Sequence, residues 1–600
     1  MNNIVIEDDK IFFTDDFFQD FTEEIITLMQ KYKKIVFGKR CRSMILPGFF
    51  SENNLEITFG KNFNHPLSKE NLPSKITHLK LGKYFNNSLD NLPNSITHLF
   101  IGRSFNKSLD NLPTSIIHLE FDNRSVFNKS LDRLPNSIEH LIFGWNSEFN
   151  LTVDNLPNSL KELLLGDKFN KQLNNLPNSL ENLRIGFEYN QHTLNLPCSL
   201  KEISIGSYSQ KYEISFPDSV NIIIFGNLDN KPITAGYLPK NLNELYFGDE
   251  FNQVLSKNCL PQNLNIIRFG QKYDQILNLG VLPNTVNELC FGEKFNQKIS
   301  RYNLPKSLSI LHLGVNFNRY INSLPSNLVH LIFDGCGYFN KPIGVGVLPD
   351  TLKTIQFSHH YNQDLEPGIF PNKCLERIVF GKNFNKPIKP GVLPECLIKI
   401  CFGSNFNQSI SSVNLPSSLK ILILNFSFDQ PINPGELPTS LETIHFESNF
   451  NQKIFPGTFP QSIKEIRFGS NFDQEITKGC FPEGLKHLYF GYSFNKIIHT
   501  GVLPKGLLDL EFGNDFNQKI TQNNLPENLL SLKFGFNFNQ QIDKLPDSIT
   551  SLTFGLQCKQ ENLIDILPKY LTTLSIPYSY RFTNFSLLQN KSIKKIIYNY

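Results

Sequence analysis

The feature that most constrains the fold of this chain is a short unit that recurs along nearly its whole length. The unit reads Leu-Pro-x-Ser-Leu-x-x-Leu-x-Phe-Gly-x-x-Phe-Asn-x-x-Ile, and Leu-Pro or Phe-Pro marks 24 copies between Pro73 and Pro568, nearly all 20 or 22 residues apart. One unit of this size cannot bury its own apolar side chains, but copies stacked in register can. The repeat therefore predicts a solenoid, whose length is not limited by a single core.

Each unit contains one short strand. Leu163 and Leu165 alternate with Glu162 and Leu164, which is the period of a β-strand. The proline excludes a regular helix through Leu-Pro-x-Ser, and units of 20 to 22 residues leave no room for an α-helix beside the strand. We predict a mainly β fold with about 24–27 short parallel strands, joined by extended or 3₁₀ return segments.

Two further positions of the unit are predicted to hold the stack together. The Phe of each Phe-Asn pair, such as Phe169-Asn170, is expected to stack on the Phe of the next unit, while the Asn side chain hydrogen-bonds backbone groups of the turn. The residue after the strand is Gly in 18 of the 24 units. Because glycine tolerates positive φ, we expect a left-handed turn there. Irregular Phe-Asn pairs at Ser209, Asp229 and Cys558 predict local irregularity.

The frame Leu-x-x-Leu-x-Phe-Gly-x-x-Phe-Asn resembles the leucine-rich repeat, with its Asn two places later. It is more similar to the FNIP repeat, as at Phe384–Ile388, and the resemblance covers roughly residues 57 to 576. It implies a leucine-rich-repeat-like solenoid, of a type known chiefly from social amoebae and from giant DNA viruses that infect amoebae. Several relatives carry an N-terminal F-box, which implies substrate recognition in ubiquitin ligation through a ligase adaptor.

The ends of the chain are interpreted as caps of the stack. Residues 15–33 predict one amphipathic helix, capped by Asp15 or Asp16 and carrying an apolar stripe. That stripe is Phe18, Phe21, Ile25, Leu28 and Tyr32. No Leu-Pro-acidic opening of an F-box is visible, which favours a cap. The predicted divisions are an N-terminal segment 1–34, degenerate first rungs 35–60, the solenoid 61–576 and a closing rung 577–600.

Composition excludes several classes of partner. Lys and Arg number 58 against 55 Asp and Glu, spread evenly to a net charge of +3, so no basic stripe indicates nucleic acid. The N-terminus lacks the pattern of a signal peptide, and no run approaches the ~18 apolar residues that would indicate a membrane span. The ten cysteines contain no Cys-x-x-Cys pair and are interpreted as free thiols in a reducing compartment. We predict a cytoplasmic protein, in the host cytoplasm if the source is viral.

The sequence shows no catalytic motif, so we predict a non-enzyme without cofactor or metal. An enzymatic role would require a pocket in the irregular units near 207–230 or 333–346. One histidine constellation recurs in the same outward position of four consecutive units, which a stack would place about 5 Å apart. Its members are His78, His98, His118 and His140. A metal-binding or pH-sensitive strip is one interpretation, but four rings in line do not make a tetrahedral cage, which favours an exposed polar ladder.

The outward positions of the strands form the predicted binding surface. They include residue types that are enriched at protein interfaces: Arg184, Tyr246, Arg268, His312, His445, Arg467 and Tyr489. Exposed aliphatic residues among them also indicate a covered surface, although packing on their own neighbours is the plainer interpretation. We predict a scaffold whose concave sheet face binds another protein. The alternative is a structural or virion-associated protein without a specific ligand.

Overall fold

The computed structural model describes residues 4–7, 9–15, 21–191, 194–206, 214–410, 415–542, 544–560, 563–577, 593 and 595–599. The predicted helix positions Asp16 and Phe18, and the irregular pair at Ser209, lie outside these residues. The chain divides into two units, Met1–Gly292 and Glu293–Tyr600.

Short strands, one per turn, dominate both units. The first unit contains β1 (Ile4–Glu7), β2 (Lys10–Phe13), β3 (Lys34–Val36), β4 (Glu56–Thr58), β5 (His78–Lys80), β6 (His98–Ile101), β7 (His118–Phe121), β8 (His140–Ile142), β9 (Glu162–Leu164), β10 (Asn182–Ile185), β11 (Glu202–Ile205), β12 (Ile222–Phe225), β13 (Glu244–Tyr246), β14 (Ile266–Arg268) and β15 (Glu288–Cys290). Its described helix is α1 (Glu23–Met29).

The second unit contains β16 (Ile310–Leu313), β17 (His330–Phe333), β18 (Thr354–Gln356), β19 (Arg377–Val379), β20 (Lys399–Cys401), β21 (Ile421–Leu424), β22 (Thr443–Phe446), β23 (Glu465–Arg467), β24 (His487–Tyr489), β25 (Asp509–Glu511), β26 (Ser531–Lys533), β27 (Ser551–Thr553), β28 (Thr573–Pro577) and β29 (Lys595–Asn599). It also has a 3₁₀ turn, Gln522–Asn524, and a one-turn helix, α2 (Leu563–Ile566).

Consecutive strands pair in parallel with equivalent residues in register. Leu163 of β9 pairs with Leu183 of β10, which pairs with Ile203 of β11, and these inward side chains are at most 1 % exposed. From β2 to β15 in the first unit, and from β16 to β29 in the second, every described neighbour follows this pattern. The result is a parallel β-solenoid with about 25 turns and almost no helix, which confirms the predicted fold class.

Two columns of phenylalanine rings fill the stack. Within one turn, the rings of Phe380 and Phe384 lie 4.0 Å apart between centroids and 12° from parallel. Between turns, Phe380 stacks on Phe402 at 5.8 Å and Phe384 stacks on Phe406 at 6.2 Å. All four rings are buried. The predicted stacking of the Phe-Asn phenylalanines is confirmed, and the strand-end phenylalanine adds a second column beside it.

The asparagine of each Phe-Asn pair bonds to the next turn. Asn385 Oδ1 accepts hydrogen bonds from the backbone N–H of Asn407 at 2.9 Å and from Nε2 of Gln408 at 2.9 Å. An aspartate serves equally, since Asp429 Oδ1 accepts from the N–H of Asn451 at 2.9 Å. The predicted hydrogen bonding of these side chains to turn backbone is confirmed.

The asparagine column also crosses turns in which we expected irregularity. Beside Asp229, the side chain of Asn230 still accepts from the N–H of Asn252 at 2.8 Å. Beside Cys558, the N–H of Lys559 donates to Asn539 at 3.0 Å. The column therefore depends on the asparagine acceptor rather than on the aromatic ring that precedes it.

The serine of Leu-Pro-x-Ser forms a further bond between turns that the sequence did not predict. Ser440 Oγ donates to the carbonyl oxygen of Leu419 at 2.7 Å, and Ser462 Oγ donates to that of Leu441 at 2.6 Å. Threonine makes the same bond at Thr351. The serine thus satisfies a carbonyl that the bend before the strand leaves outside the sheet ladder.

The positive φ predicted for the glycine after the strand is wrong. Positive φ occurs instead at loop glycines before Leu-Pro, such as Gly391 at 79°. At Gly403, a Cβ would lie 1.7 Å from the carbonyl oxygen of Gly381 in the preceding turn. At such a position glycine is needed because the backbones of successive turns approach too closely for a side chain, not because the turn is left-handed.

The N-terminal helix is shorter than predicted. It covers Glu23–Met29, with Thr22 at its N-cap, and Asp15 instead accepts the backbone N–H of Lys39 at 2.9 Å. Before it lies an unpredicted antiparallel hairpin of β1 and β2, and β2 pairs in parallel with β3. The hairpin brings Phe13 onto Phe37, with centroids 5.3 Å apart, so it extends the phenylalanine column by one ring.

At the other end, β29 pairs in parallel with β28 in continuous register, Leu574 opposite Ile596. The one-turn helix α2 occupies a return segment in which the sequence predicted no helix. Leu563 and Ile566 of this helix are buried, so a single helical turn is enough to direct two apolar side chains inward.

Replacing Gly403 with alanine should destabilise the second unit by more than about 3 kcal/mol, because the new Cβ would overlap a backbone carbonyl that cannot move alone. Gly344→Ala is the matched control, since its Cβ would meet only Val347 Cγ2, at 3.6 Å, and should change stability by less than about 1 kcal/mol. Urea unfolding followed by circular dichroism measures both. Equal effects would contradict the close-approach explanation.

Replacing Asn385 with alanine should cost about 1–3 kcal/mol, because it removes the acceptor of a backbone N–H that has no strand partner. Asn385→Asp should cost clearly less, since aspartate keeps the acceptor oxygen, as Asp429 does. The comparison uses the thermal unfolding midpoints of both variants. A similar fall of the unfolding midpoint in the two variants would show that this hydrogen bond does not stabilise the stack.

Candidate interaction face

The outward side chains of the strands form two columns on the sheet. The first face column holds the outward residue before the buried strand residue, such as Glu465 and His487, and the second holds the outward residue after it, such as Arg467 and Tyr489. We call the two columns together the interaction face. Parallel register places column neighbours one strand apart, about 4.8 Å. The column residues are half-buried or exposed along most strands, so their tips are available to a partner.

In the first unit, the predicted residues Tyr246 and Arg268 come together on neighbouring strands. The Tyr246 hydroxyl donates to Glu244 at 2.7 Å, and Arg268 Nη2 donates to Glu288 at 2.7 Å. The guanidinium carbon of Arg268 lies 5.6 Å from the Tyr246 ring centroid. Burial, followed by the bond to Glu244, raises the pKa of Tyr246 to about 12, so the phenol keeps its proton at neutral pH.

In the second unit, two predicted residues contact one carboxylate and a third packs against one of them. Arg467 Nε donates to Glu465 at 2.6 Å, and His445 Nε2 lies 3.2 Å from the same oxygen. The Arg467 guanidinium lies 4.1 Å from the Tyr489 ring centroid. Burial lowers the pKa of His445, against the opposing effect of Glu465. The cluster presents a tyrosine and an arginine whose conformations are fixed by neighbours.

Arg184 and His312 lie outside these two clusters. Arg184 turns to the strand end, where Nη2 donates to the Phe143 carbonyl at 2.7 Å and the guanidinium lies 4.0 Å from the Trp145 ring. Burial lowers the pKa of Arg184. His312 occupies the second face column of β16, in register with Ile332 of β17. The aliphatic face residues Ile332 and Leu164 are half-buried, not fully exposed as expected.

The carboxylates that organise the clusters were not predicted as site residues. Three glutamates each accept a hydrogen bond from a predicted residue, namely Glu244, Glu288 and Glu465. The ring of Trp145 packs against the guanidinium of Arg184. Aligning the units on Leu-Pro places all three carboxylates in the first face column. Writing out both columns, rather than only interface-prone residue types, would have identified these pairs from the sequence.

The four histidines of the predicted strip are consecutive in the first face column. Ring centroids lie 4.2 Å apart for His78 and His98, 5.5 Å for His98 and His118, and 5.7 Å for His118 and His140. The first two pairs stack within 24° of parallel. Stacked rings direct their nitrogens sideways. In the part of the chain that the structure describes, no group of three or more potential ligands is arranged to hold a metal ion.

Carboxylates flank the far end of the histidine strip. His118 Nε2 lies 3.3 Å from Glu120, and His140 Nδ1 lies 2.9 Å from Glu162. Burial, followed by the charges of His78, His118 and His140, lowers the pKa of His98. The arrangement therefore favours a neutral ring in the middle of the strip at neutral pH.

These features define a leucine-rich-repeat-type scaffold. The FNIP Repeat family matches residues 43–84, 85–124, 149–188, 230–272, 251–294, 295–336, 339–383, 361–403, 384–427, 428–471, 472–515, 516–545 and 541–579. The chain belongs to the FNIP repeat family, which confirms the resemblance seen in the sequence.

Two solved structures and one curated protein resemble the chain. CroV588, a giant-virus protein described as a novel circular LRR protein, is 34% identical, with a TM-score of 0.83 and coverage of 100% of both chains. YopM from Yersinia enterocolitica WA-314 is 18% identical, with a TM-score of 0.33 over 84% of this chain and 90% of its own.

The curated relative is the probable serine/threonine-protein kinase fnkA of Dictyostelium discoideum. It is 40% identical over 60 residues, which are 10% of this chain and span 7% of the kinase. This local match does not bear on enzymatic activity. Among the helices that the structure describes, none has the length and apolar character needed to cross a bilayer.

His98→Asn should make the first unit less sensitive to acid; asparagine occupies the same column at Asn182. Because the fold holds the pKa of His98 below its ordinary value of 6.5, the unfolded chain binds the proton more readily, and stability is lost as pH falls below 6.5. Melting temperatures at about pH 7.5 and about pH 5.5 measure the effect. An equal acid-induced drop in the wild type and the variant would contradict it.

Proposed function

We propose that this protein is a non-enzymatic scaffold that binds another protein through its interaction face. The observation that carries the proposal is the pairing of tyrosine and arginine in each unit, Tyr246 with Arg268 and Tyr489 with Arg467. Both arginines are also hydrogen-bonded to a glutamate of the same strand or of a neighbouring strand. Such tyrosine and arginine residues supply most of the binding energy at protein interfaces. Their neighbours restrict them before binding, so little side-chain entropy is lost when a partner arrives.

The geometry of the face suits an extended macromolecular contact. Two side chains of the face emerge from each strand, so that a partner lying across several strands meets several of them at once. Small-molecule sites, in contrast, are usually concave and enclose most of their ligand. The family and fold are those of repeat scaffolds, which supports a binding role rather than catalysis.

Two expectations from the sequence stay predictions. The family resemblance implies a link to ubiquitin ligation, which co-purification of a ligase adaptor with the full chain would test. The cytoplasmic location is tested by fractionation of expressing cells. The alternative, a structural or virion-associated role without a specific ligand, predicts the opposite result. In that case the outward side chains of the face could be replaced without loss of any bound protein.

Replacing Tyr246 and Arg268 together with threonine, a residue found in the same column at Thr58, should abolish co-purification of the principal bound protein from expressing cells. Quantitative mass spectrometry of the captured proteins measures the loss. The matched control is Tyr84→Thr with Lys272→Thr, which removes one tyrosine and one cation from the turn side of the same unit.

The control variant should retain the captured protein, because Tyr84 and Lys272 lie outside both face columns. Melting temperatures of the two variants establish that each is folded. Retention of every captured protein by the Tyr246→Thr, Arg268→Thr variant would contradict the proposal and favour a structural role.

A further inference from the structure

Two cations lie side by side on the face of the second unit. Arg377 of β19 and Lys399 of β20 are register partners in the first face column, so their backbones lie about 4.8 Å apart. Arg377 is exposed and Lys399 is half-buried. Like charges directly opposite one another on neighbouring strands destabilise a sheet. The same column holds uncharged threonine at Thr354 and Thr443, so the strand geometry itself does not require cations.

Several other cations of the face are neutralised by a neighbouring carboxylate. Ion pairs of 2.6–2.7 Å join Lys34–Glu56, Arg268–Glu288, Arg467–Glu465 and Lys533–Glu511. Among the residues that the structure describes, no carboxylate lies within 4.0 Å of the charged groups of Arg377 or Lys399. Arg377 and Lys399 are therefore two adjacent cations of the face without a carboxylate partner of their own.

The surroundings increase the positive charge. Two further cations, Lys353 and Lys420, lie immediately before β18 and β21. On or directly before the four strands β18–β21 there is one carboxylate, Glu376, which lies 3.7 Å from the ammonium of Lys353. The carboxylate that serves Lys420, Glu442, is 3.3 Å from it and is shared with Lys464 at 2.6 Å. These four strands and the residues directly before them therefore carry four cations and one carboxylate.

Aliphatic side chains border the cations. Ile398, immediately before β20, is 38 % exposed, and Val379 and Ile421 beside the pair are half-buried. No aromatic ring lies in the face columns of β18–β21. Nucleic acids are bound by long cationic tracks with aromatic stacking platforms. A compact group of cations bordered by aliphatic residues better fits a polypeptide that offers both carboxylates and apolar side chains.

We propose that Arg377 and Lys399 form a docking point for the carboxylates of an acidic polypeptide segment. The inference rests on the proposed function, that the interaction face binds a protein, and it specifies the chemistry of that partner. The planar guanidinium of Arg377 can bind a carboxylate in bidentate fashion, while the ammonium of Lys399 acts as a point charge beside it. An acidic segment would remove the repulsion between the two cations and gain ion pairs with both.

Fluorescence anisotropy with a labelled oligoglutamate peptide tests the docking point on the full chain. We expect the peptide to bind, and its affinity to fall as salt is added. Arg377→Thr with Lys399→Thr should weaken binding at least about tenfold. The matched control, Lys464→Thr with Lys533→Thr, removes the same net charge from cations that already have carboxylate partners and should change affinity less than about twofold.

Thermal unfolding gives a second readout that does not need the peptide. The Arg377→Thr, Lys399→Thr variant should melt no lower than the wild type, because it relieves a repulsion. The control should melt slightly lower, because it breaks two ion pairs. A clear fall in the melting temperature of the first variant would show that the pair is stabilising, which would overturn the argument from unbalanced charge.

Three binding results would also overturn the inference. The first is unchanged oligoglutamate affinity in the Arg377→Thr, Lys399→Thr variant. The second is an equal loss in both variants, which would indicate only general charge attraction. The third is tighter binding of single-stranded RNA than of oligoglutamate, with loss in the same variant, which would make the partner a nucleic acid. None of these touches Tyr246 and Arg268 in the other unit, so capture of a protein through that pair would still stand.

Discussion

The structure depends on one constraint: the hydrogen bonds and buried contacts of each turn are made with the neighbouring turns. The backbone N–H of Asn407 finds its acceptor in the side chain of Asn385, one turn earlier. Where glycine follows the strand, it leaves room for the carbonyl of the preceding turn and for nothing larger. Phenylalanine rings are buried against rings of both neighbouring turns. Since all three contacts require the same offset between turns, they select a single register.

The interaction face is a consequence of that register. With inward positions committed to Leu, Ile and Phe, the alternate positions must point outward, at a spacing fixed by the strands. Side chains placed there meet their column neighbours whether or not a ligand is bound. This explains why many charged face residues form ion pairs with residues of the same strand or of a neighbouring strand. It also makes the unbalanced pair, Arg377 and Lys399, informative, since the sheet offers many positions for a compensating carboxylate and places none there.

Most of the fold could be predicted from the sequence because its determinants are local and repeated. Period-two alternation gave the strands, and the Phe-Asn pair gave the stacking and the hydrogen-bonded column. The prediction for glycine was wrong because a requirement for space and a requirement for positive φ select the same residue. The hairpin of β1 and β2 was missed because it occurs once and lacks the Leu-Pro marker, whereas the following residues carry a strong helical pattern.

The candidate site was less predictable than the fold. Residue type alone predicted that Arg184 belongs to the binding surface with Tyr246 and Arg268. Its side chain instead turns toward Trp145, because a buried carbonyl and the indole ring lie within its reach. Such a choice of rotamer depends on residues two turns away and is not visible in a single unit. Pairing between columns, as for Glu465 with His445 and Arg467, becomes visible only when units are aligned and their outward residues are considered together.

Amide hydrogen exchange measured by mass spectrometry tests the central claim most directly. The N–H of Asn407 lies in a turn and bonds to a side chain, whereas that of Phe402 bonds to a neighbouring strand at 3.0 Å. If side-chain acceptors hold the turns together, the amides of the asparagine column should be protected to a degree similar to Phe402. Exchange of those amides as rapid as that of the loop residue Gly391 would contradict the account.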